Sequence, residues 1–351
     1  MSDSLSLAIP CRADEPGLSA TLASLYEACQ PLLLPPRLIE ELVICINGFT
    51  RGTSCASLLA ARTFCAQHNI VLTEIWVGPD GKLPQRSTDK PAYATDWTSI
   101  ADTTRSECSE KPPSQVIPVC TVMLTERRGK PPAWNILRHC AAGENVLFCD
   151  ADVRVDPESV RLLYDRLQRA PQLSLVAARE VPVLEGRETL WGRMGALPYR
   201  FDFGNAGGRL LMMRKNALPG EMPEDLLLED AWLTVALGKA YVAKEWQAKV
   251  YFLPPSTGRD YFAERVRTEG GKLQIRRAHG KLLEDGPIAT YRWTHFFNAI
   301  AVREYPLVLL AMLVRMAASL WARLVLTFAN QGFYALYRPF LTTKKWPETR
   351  R

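Results

Sequence analysis

From residue 5 onward, short apolar runs alternate with longer amphipathic segments, and this alternation narrows the fold more than any other feature of the chain. Apolar strands buried on both faces need amphipathic helices to cover them, so the pattern predicts a mixed, mainly parallel α/β sheet with helices on both faces. Leu5–Pro10 reads as a first strand, and the segment from Pro16 to Cys29 carries Leu18, Leu22, Leu25 and Tyr26 at helical spacing. Leu42–Ile46 is a second apolar run, closed by the turn signal Asn47-Gly48. A helix over Ser54–His68 and a strand over Ile70–Val77 extend the series. It resumes with a strand over Val116–Leu124, a helix over Pro131–Cys140, a strand over Asn145–Cys149 and a helix over Leu226–Leu237. Residues 78–114 interrupt it: five prolines, many Ser, Thr, Asp and Lys, and few large aliphatics predict an inserted surface loop.

The bulk numbers limit the class of partner. With 47% hydrophobic residues in 351, the chain can fill one large core or two smaller ones. A net charge of +6 is modest for this length, and the spacing of Lys and Arg does not point to nucleic acid as a partner. Nine cysteines without a CxxC pair, and an N-terminus with no basic stretch before an apolar core, predict reduced thiols in a cytoplasmic setting. Cys45, Cys120 and Cys149 lie inside apolar runs, where a thiol acts as a small hydrophobe.

The chemistry concentrates at FCDADVRVDPESV, where an apolar run ends in Asp150-Ala151-Asp152. On extended backbone, residues two apart point to one side, so both carboxylates are expected in a crevice at the carboxyl edge of the sheet, where open α/β folds bind ligands. Two hard oxygen donors there suit Mg²⁺ or Mn²⁺ bridging a diphosphate. Alone, a DxD triplet has the commoner meaning of turn or cap residues, so its setting decides.

In that setting the chain resembles the family 2 glycosyltransferases of the GT-A fold. IPCRADEPGLSATLASL is similar to the family's first strand and leucine-rich helix, and the resemblance places Pro10, Arg12, Asp14 and Glu15 where nucleotide-facing residues are expected. VICINGFTRGT is similar to the second strand and turn, with Asn47 at the second acidic position of that motif. ERRGKPPAWNILRHCAAGENVLFCDAD resembles the stretch leading to the DxD, which makes Lys130 and Asn135 candidate donor or structural contacts. LLLEDAWLT resembles the segment that supplies the catalytic base. The resemblance spans roughly residues 5–280 in the family's order. It departs at Ile46, Ala13 and Asp14, all on the nucleotide side.

The resemblance implies an inverting transferase of hexosyl or N-acetylhexosaminyl groups, with a nucleotide-sugar donor, UDP-sugars first, and a divalent Mn or Mg cofactor. Asp152 is the expected metal ligand, and Asp150 a metal ligand that also contacts the donor. Asp230 is the expected base, and Glu229, about 100° away around the helix, is expected to orient the acceptor. GNAGGRLLMMRKNAL resembles the acceptor-side segment and brings in Gly207 and Gly208 beside Gly204; the same glycines also suit a plain tight turn. Residues 259–281 carry seven Lys or Arg against three acids. Arg265 and Arg267 sit roughly where relatives carry an Arg motif for the diphosphate, and a basic face toward anionic lipid is the other reading of the same run.

The C-terminal part changes character. Tyr305–Ala329 is dominated by Leu, Val, Ala, Met, Trp and Phe, and a basic tail with Arg338, Lys344, Lys345, Arg350 and Arg351 follows. Because Arg315 and Arg323 interrupt a stretch of spanning length, a helix lying in the membrane interface is favoured over one crossing the bilayer. An ordinary helix packed on the catalytic domain is the alternative. The division expected is a catalytic domain over residues 1–290 and a helical membrane-associating region over 291–351. The enzyme would then work at the cytoplasmic membrane face on a lipid-linked or other glycan acceptor. A catalytically weak sugar-nucleotide-binding homologue and a nucleotidyltransferase stand beside this reading. The latter wants a Gly-rich basic loop that IPCRADEPG reproduces poorly.

Overall fold

The computed structural model describes residues 4–30, 38–78, 116–200, 206–218, 220–279 and 300–328. The inserted loop beyond Gly78, Gly204 and the basic tail lie outside them. In chain order the elements are β1 (Leu5–Arg12), α1 (Leu18–Cys29), β2 (Ile39–Asn47), α2 (Ala56–Gln67), β3 (Val71–Val77), β4 (Val119–Thr125), α3 (Lys130–Cys140) and β5 (Asn145–Cys149). Then follow β6 (Arg154–Val155), α4 (Ser159–Arg169), β7 (Leu175–Pro182), α5 (Leu190–Ala196), β8 (Leu210–Arg214), α6 (Glu229–Leu237), β9 (Val242–Phe252), α7 (Gly258–His279) and α8 (Tyr305–Phe328).

Alternate residues of each strand feed opposite cores. Leu5, Leu7, Ile9 and Cys11 of β1 pack on one face and Ala8 on the other; Leu42, Ile44 and Ile46 of β2 oppose Val43 and Cys45. Helices α1, α2 and α4 cover the first face, and α3 and α6 the second. The strand order is β3-β4-β2-β1-β5-β8-β7-β9-β6. The pairs from β3 through β5 are parallel, β8 runs antiparallel to both β5 and β7, and β7 pairs in parallel with β9. This is the mixed, mainly parallel sheet that the alternation predicts.

Two local departures matter for the site. Strand β5 ends at Cys149, so Asp150–Asp152 form a turn rather than an extended continuation. Helix α6 starts at Glu229, three residues later than its apolar periodicity suggests. The preceding segment is held non-helical by Gln274, which accepts from the Leu227 amide (3.0 Å) and donates to the Asp225 carbonyl (3.0 Å).

Helix α8 packs along α7, burying Leu307, Val308, Ala318 and Ala322, while Leu309, Leu313, Leu320, Trp321 and Phe328 remain exposed. Residues Val302–Phe328 form a helix long and apolar enough to cross a membrane. One face is nevertheless committed to protein: Arg315 Nε is 2.8 Å from Glu269 of α7.

Candidate active site

The site forms where several strand ends meet. Arg12 and Asn47 are register partners at the carboxyl ends of β1 and β2, and β5 ends beside them. The antiparallel β8 starts at that same edge, and the Asp150 amide donates to the Arg209 carbonyl at 2.8 Å, so the DxD turn and the Gly207-Gly208-Arg209 segment are adjacent. The turn is seated on Gly17 just before α1: a Cβ there would stand 2.9 Å from Asp152 Cα and 3.1 Å from the Ala151 carbonyl oxygen. Only glycine lets the turn come that close. From the other face, Trp134 of α3 stacks on Phe148 of β5, with ring centroids 3.6 Å apart, and so fixes the start of α3 against the end of β5.

That packing places Lys130, the first residue of α3, among the acids. Its ammonium lies 2.7 Å from Asp150 Oδ1, 2.5 Å from Glu229 Oε1 and 3.3 Å from the Gly208 carbonyl oxygen. Burial opposes the charge on Lys130, but Asp150 and Glu229 outweigh it and hold the amine well above its ordinary range. Burial likewise pushes Asp150 up, with Asp152 and Glu229 adding to the shift and Lys130 opposing it. Glu229 goes the other way: burial is outweighed by Lys130 and Arg267, which keep it below the usual carboxylate range. Neighbouring acids on one helix turn are thereby set apart. Asp230, with no ion pair to Lys130 of the kind Glu229 makes, is pushed up to about 6 by burial and by the charges of Glu229 and Glu180, against a smaller opposing pull from Lys130.

Two cavities share this wall. The smaller is lined by Pro10, Arg12, Glu15, Asn47, Asp150 and Asp152; the larger, of about 690 Å³, by Gly207, Gly208, Asp230, Arg265 and residues of α7 and α8. Lys130, Asp150, Arg209, Glu229, Glu264 and Arg267 belong to both. Asp230 packs directly over Gly208, where an added Cβ would lie 3.1 Å from the Asp230 Cβ.

Most of the residues singled out from the sequence are therefore brought together, with three exceptions. Asp14 lines neither cavity: its side chain is 73% exposed and pairs with Arg12 at 2.8 Å, while the buried neighbour Glu15 faces the smaller cavity. Arg265 lines only the larger cavity, paired with Glu264 and 5.5 Å from the Tyr261 ring centroid, whereas Arg267 reaches both. Asn135 touches neither; it clasps the Met222 backbone through a 2.8 Å donated and a 2.9 Å accepted bond. One central group had no sequence signal beyond following two glycines. Arg209 lies between the cavities, 2.9 Å from Glu180, 3.0 Å from the Tyr199 hydroxyl and 3.7 Å from the Phe252 ring centroid.

The donor set fits a hard divalent cation. Asp150 and Asp152 offer carboxylate oxygens to one cavity. Among the described residues no three His, Cys, Asp or Glu side chains form a ready metal cage, so a bound ion would complete its shell with diphosphate and water oxygens.

Residues 96–216 match the family model described as glycosyl transferase family 2. None of the curated proteins matches the chain. Among solved structures, the mannosyltransferase PcManGT from Pyrobaculum calidifontis, in complex with GDP-Man and Mn²⁺, is 19% identical with a TM-score of 0.50, covering 96% of this chain and 82% of its own. Glucosyl-3-phosphoglycerate synthase from Mycobacterium tuberculosis is 13% identical with a TM-score of 0.44, covering 79% and 80%. S. aureus TarS 1-349 is 16% identical with a TM-score of 0.40, covering 90% and 81%. The first of these shares the fold, a GT-A-type mixed sheet.

Proposed function

We propose that the chain is a glycosyltransferase of the family 2 type, whose model matches residues 96–216, that it transfers a sugar from a nucleotide-sugar donor, that Asp230 is its catalytic base and that Asp152 and Asp150 hold the donor's metal. The observation that carries this reading is the juxtaposition of the two cavities. The DxD acids line one, Asp230 lines the other, and Lys130, Glu229 and Arg209 form the shared wall. Asp230 takes the proton from an acceptor hydroxyl in the larger cavity. The hydroxyl oxygen then bonds to the anomeric carbon as the bond to the nucleoside diphosphate breaks on the opposite face, inverting the centre. A base held near 6 is mostly ionised at neutral pH and more basic than an ordinary carboxylate. A divalent ion bound at Asp152 and Asp150 would neutralise charge accumulating on the departing diphosphate. Arg12, Asn47 and Arg267, which line the smaller cavity, would bind the donor, and Gly207 and Gly208, on the larger one, would let an acceptor approach. Both UDP-sugars and GDP-sugars are candidates, the latter because the solved mannosyltransferase binds GDP-Man.

The acceptor is lipid-linked or otherwise amphipathic, and the enzyme works at a membrane surface with α8 lying in the interface. Support comes from the mismatch between α8 and its partner. Helix α7 carries Arg259, Asp260, Glu264, Arg265, Arg267, Glu269 and Lys272. Because α8 is packed against so charged a helix, it cannot enter hydrocarbon without it, whereas lying flat keeps α7 in water and buries the exposed apolar stripe. Metal-dependent sugar transfer and donor hydrolysis across a panel of nucleotide sugars test the function. Asp152→Asn is expected to abolish metal-dependent donor binding, and Asp230→Asn to preserve it while lowering transfer by about 10²–10⁴-fold. Wild-type turnover by Asp230→Asn would remove the base assignment.

A further inference from the structure

We propose that the acceptor is a lipid bearing a phosphate group, with the phosphate seated between α7 and α8 on Lys272, Arg276 and Arg315 and the chain leaving over Met316. This rests on the larger cavity being the acceptor site. On α8 the cavity is lined by Val308, Ala311, Met312, Arg315, Met316 and Ser319, one helical face at spacings of three and four. Arg315 is the one charge on an otherwise apolar or small wall. It shares a single carboxylate oxygen, Glu269 Oε1, with Lys272 at 2.8 and 2.9 Å, and Arg276 lines the same cavity. The cavity's described lining carries nine Lys or Arg against six Asp or Glu, and at this seam Lys272 and Arg315 share Glu269 with Arg276 one turn on, so a positive surplus borders apolar surface. A phosphate on a hydrocarbon chain complements both, and an uncharged sugar complements neither.

Met316 says where the chain goes. It lines the cavity and is also 66% exposed, and it lies one turn from the exposed Leu313 and Leu320. An apolar chain seated against Met312 and Met316 thus passes from the cavity onto the exposed stripe of α8 without crossing polar surface. That is the stripe assigned to the membrane interface, so the lipid can be presented to Asp230 while its tail stays in the bilayer.

The test is calorimetric titration of the full-length chain with decyl phosphate below its critical micelle concentration, with octyl glucoside and inorganic phosphate as comparison ligands. Decyl phosphate is expected to bind at least about tenfold more tightly than either. Lys272→Gln with Arg315→Gln should weaken it at least about tenfold while leaving nucleoside diphosphate binding intact; Lys272→Arg with Arg315→Lys should retain it. Equal binding of octyl glucoside, equal binding of inorganic phosphate, or full decyl phosphate binding by the glutamine pair would each overturn the proposal. If the glutamine pair does not fold, Met316→Glu decides, since a carboxylate at that seam should repel the ligand and unchanged affinity overturns the assignment. The outcome is separable from the reaction itself. A chain that binds decyl phosphate but transfers no sugar contradicts the proposed function alone, and one that glycosylates a neutral soluble acceptor without binding decyl phosphate contradicts only this inference.

Discussion

Asp230 and Glu229 are consecutive acids on one helix turn, and their surroundings divide the work between them. Lys130 neutralises Glu229 and leaves Asp230 buried against two further negative charges. With Asp230 near 6, transfer should fall about tenfold between pH 7 and pH 5, where an ordinary carboxylate would leave it flat; a pH profile of kcat/KM checks this. Stability should respond in the opposite sense. The folded-state value lies above the ordinary 3.8, so the contribution of Asp230 to stability is present below 3.8 and is lost as pH rises through about 6. Asp230→Asn is therefore expected to stabilise the fold at pH 7 by up to about 3 kcal/mol, seen as a higher Tm, and to match the wild type below pH 4 in thermal melts. Such a gain alongside lost turnover is the usual cost of an active-site charge.

The site is assembled from helix starts, and α3 does most of the assembling. Its first residue, Lys130, joins Asp150 to Glu229, its Trp134 stacks on the strand that delivers Asp150, and its Asn135 clasps the chain leading into α6. Because Asn135 is buried and lines neither cavity, its role is to hold the two acidic segments in register. Asn135→Ala leaves both backbone groups of Met222 without their side-chain partner, and denaturant unfolding should show a loss of about 1–3 kcal/mol. Donor affinity of the folded variant should stay near wild type, because no group facing the smaller cavity changes. A large loss of donor affinity without loss of stability would instead assign Asn135 to the donor.

Across the whole molecule, α8 ties the catalytic unit to an apolar exterior. Arg315, which would obstruct a membrane helix, points into the protein and pairs with Glu269, so it offers no obstacle to burying the opposite face in a headgroup layer. Leu313 and Leu320 are each 62% exposed and lie outside the cavity. Leu313→Glu with Leu320→Glu should abolish co-sedimentation with anionic vesicles. Stability in solution should change by no more than about 0.5 kcal/mol per site, since exposed positions contribute little. Unaltered vesicle binding would remove the exposed stripe of α8 from the proposed membrane contact.

Much of this was readable in the residues alone. Continuous short apolar runs specified the strands, period 3.6 the helices, and an apolar run ending in Asp150-Ala151-Asp152 marked the candidate site's edge of the sheet, because these are local patterns set by backbone geometry. The order of the acidic motifs suggested the family for the same reason, and its model matches residues 96–216. What lay beyond reach were relations between distant segments. Nothing in the sequence ties Lys130 to Glu229, Arg209 to Glu180 or Arg315 to Glu269; each pair exists because packed elements bring a partly exposed cation against a more buried acid. Asp14 and Asn135 make the same point in reverse. The motif position of Asp14 suggested a donor contact and that of Asn135 a donor or a structural one; the turn after β1 aims Asp14 at solvent and the packing of α3 turns Asn135 toward Met222. Residue type and spacing thus supplied the elements and the kind of chemistry, while burial and the approach of non-neighbouring segments assigned each charge its partner.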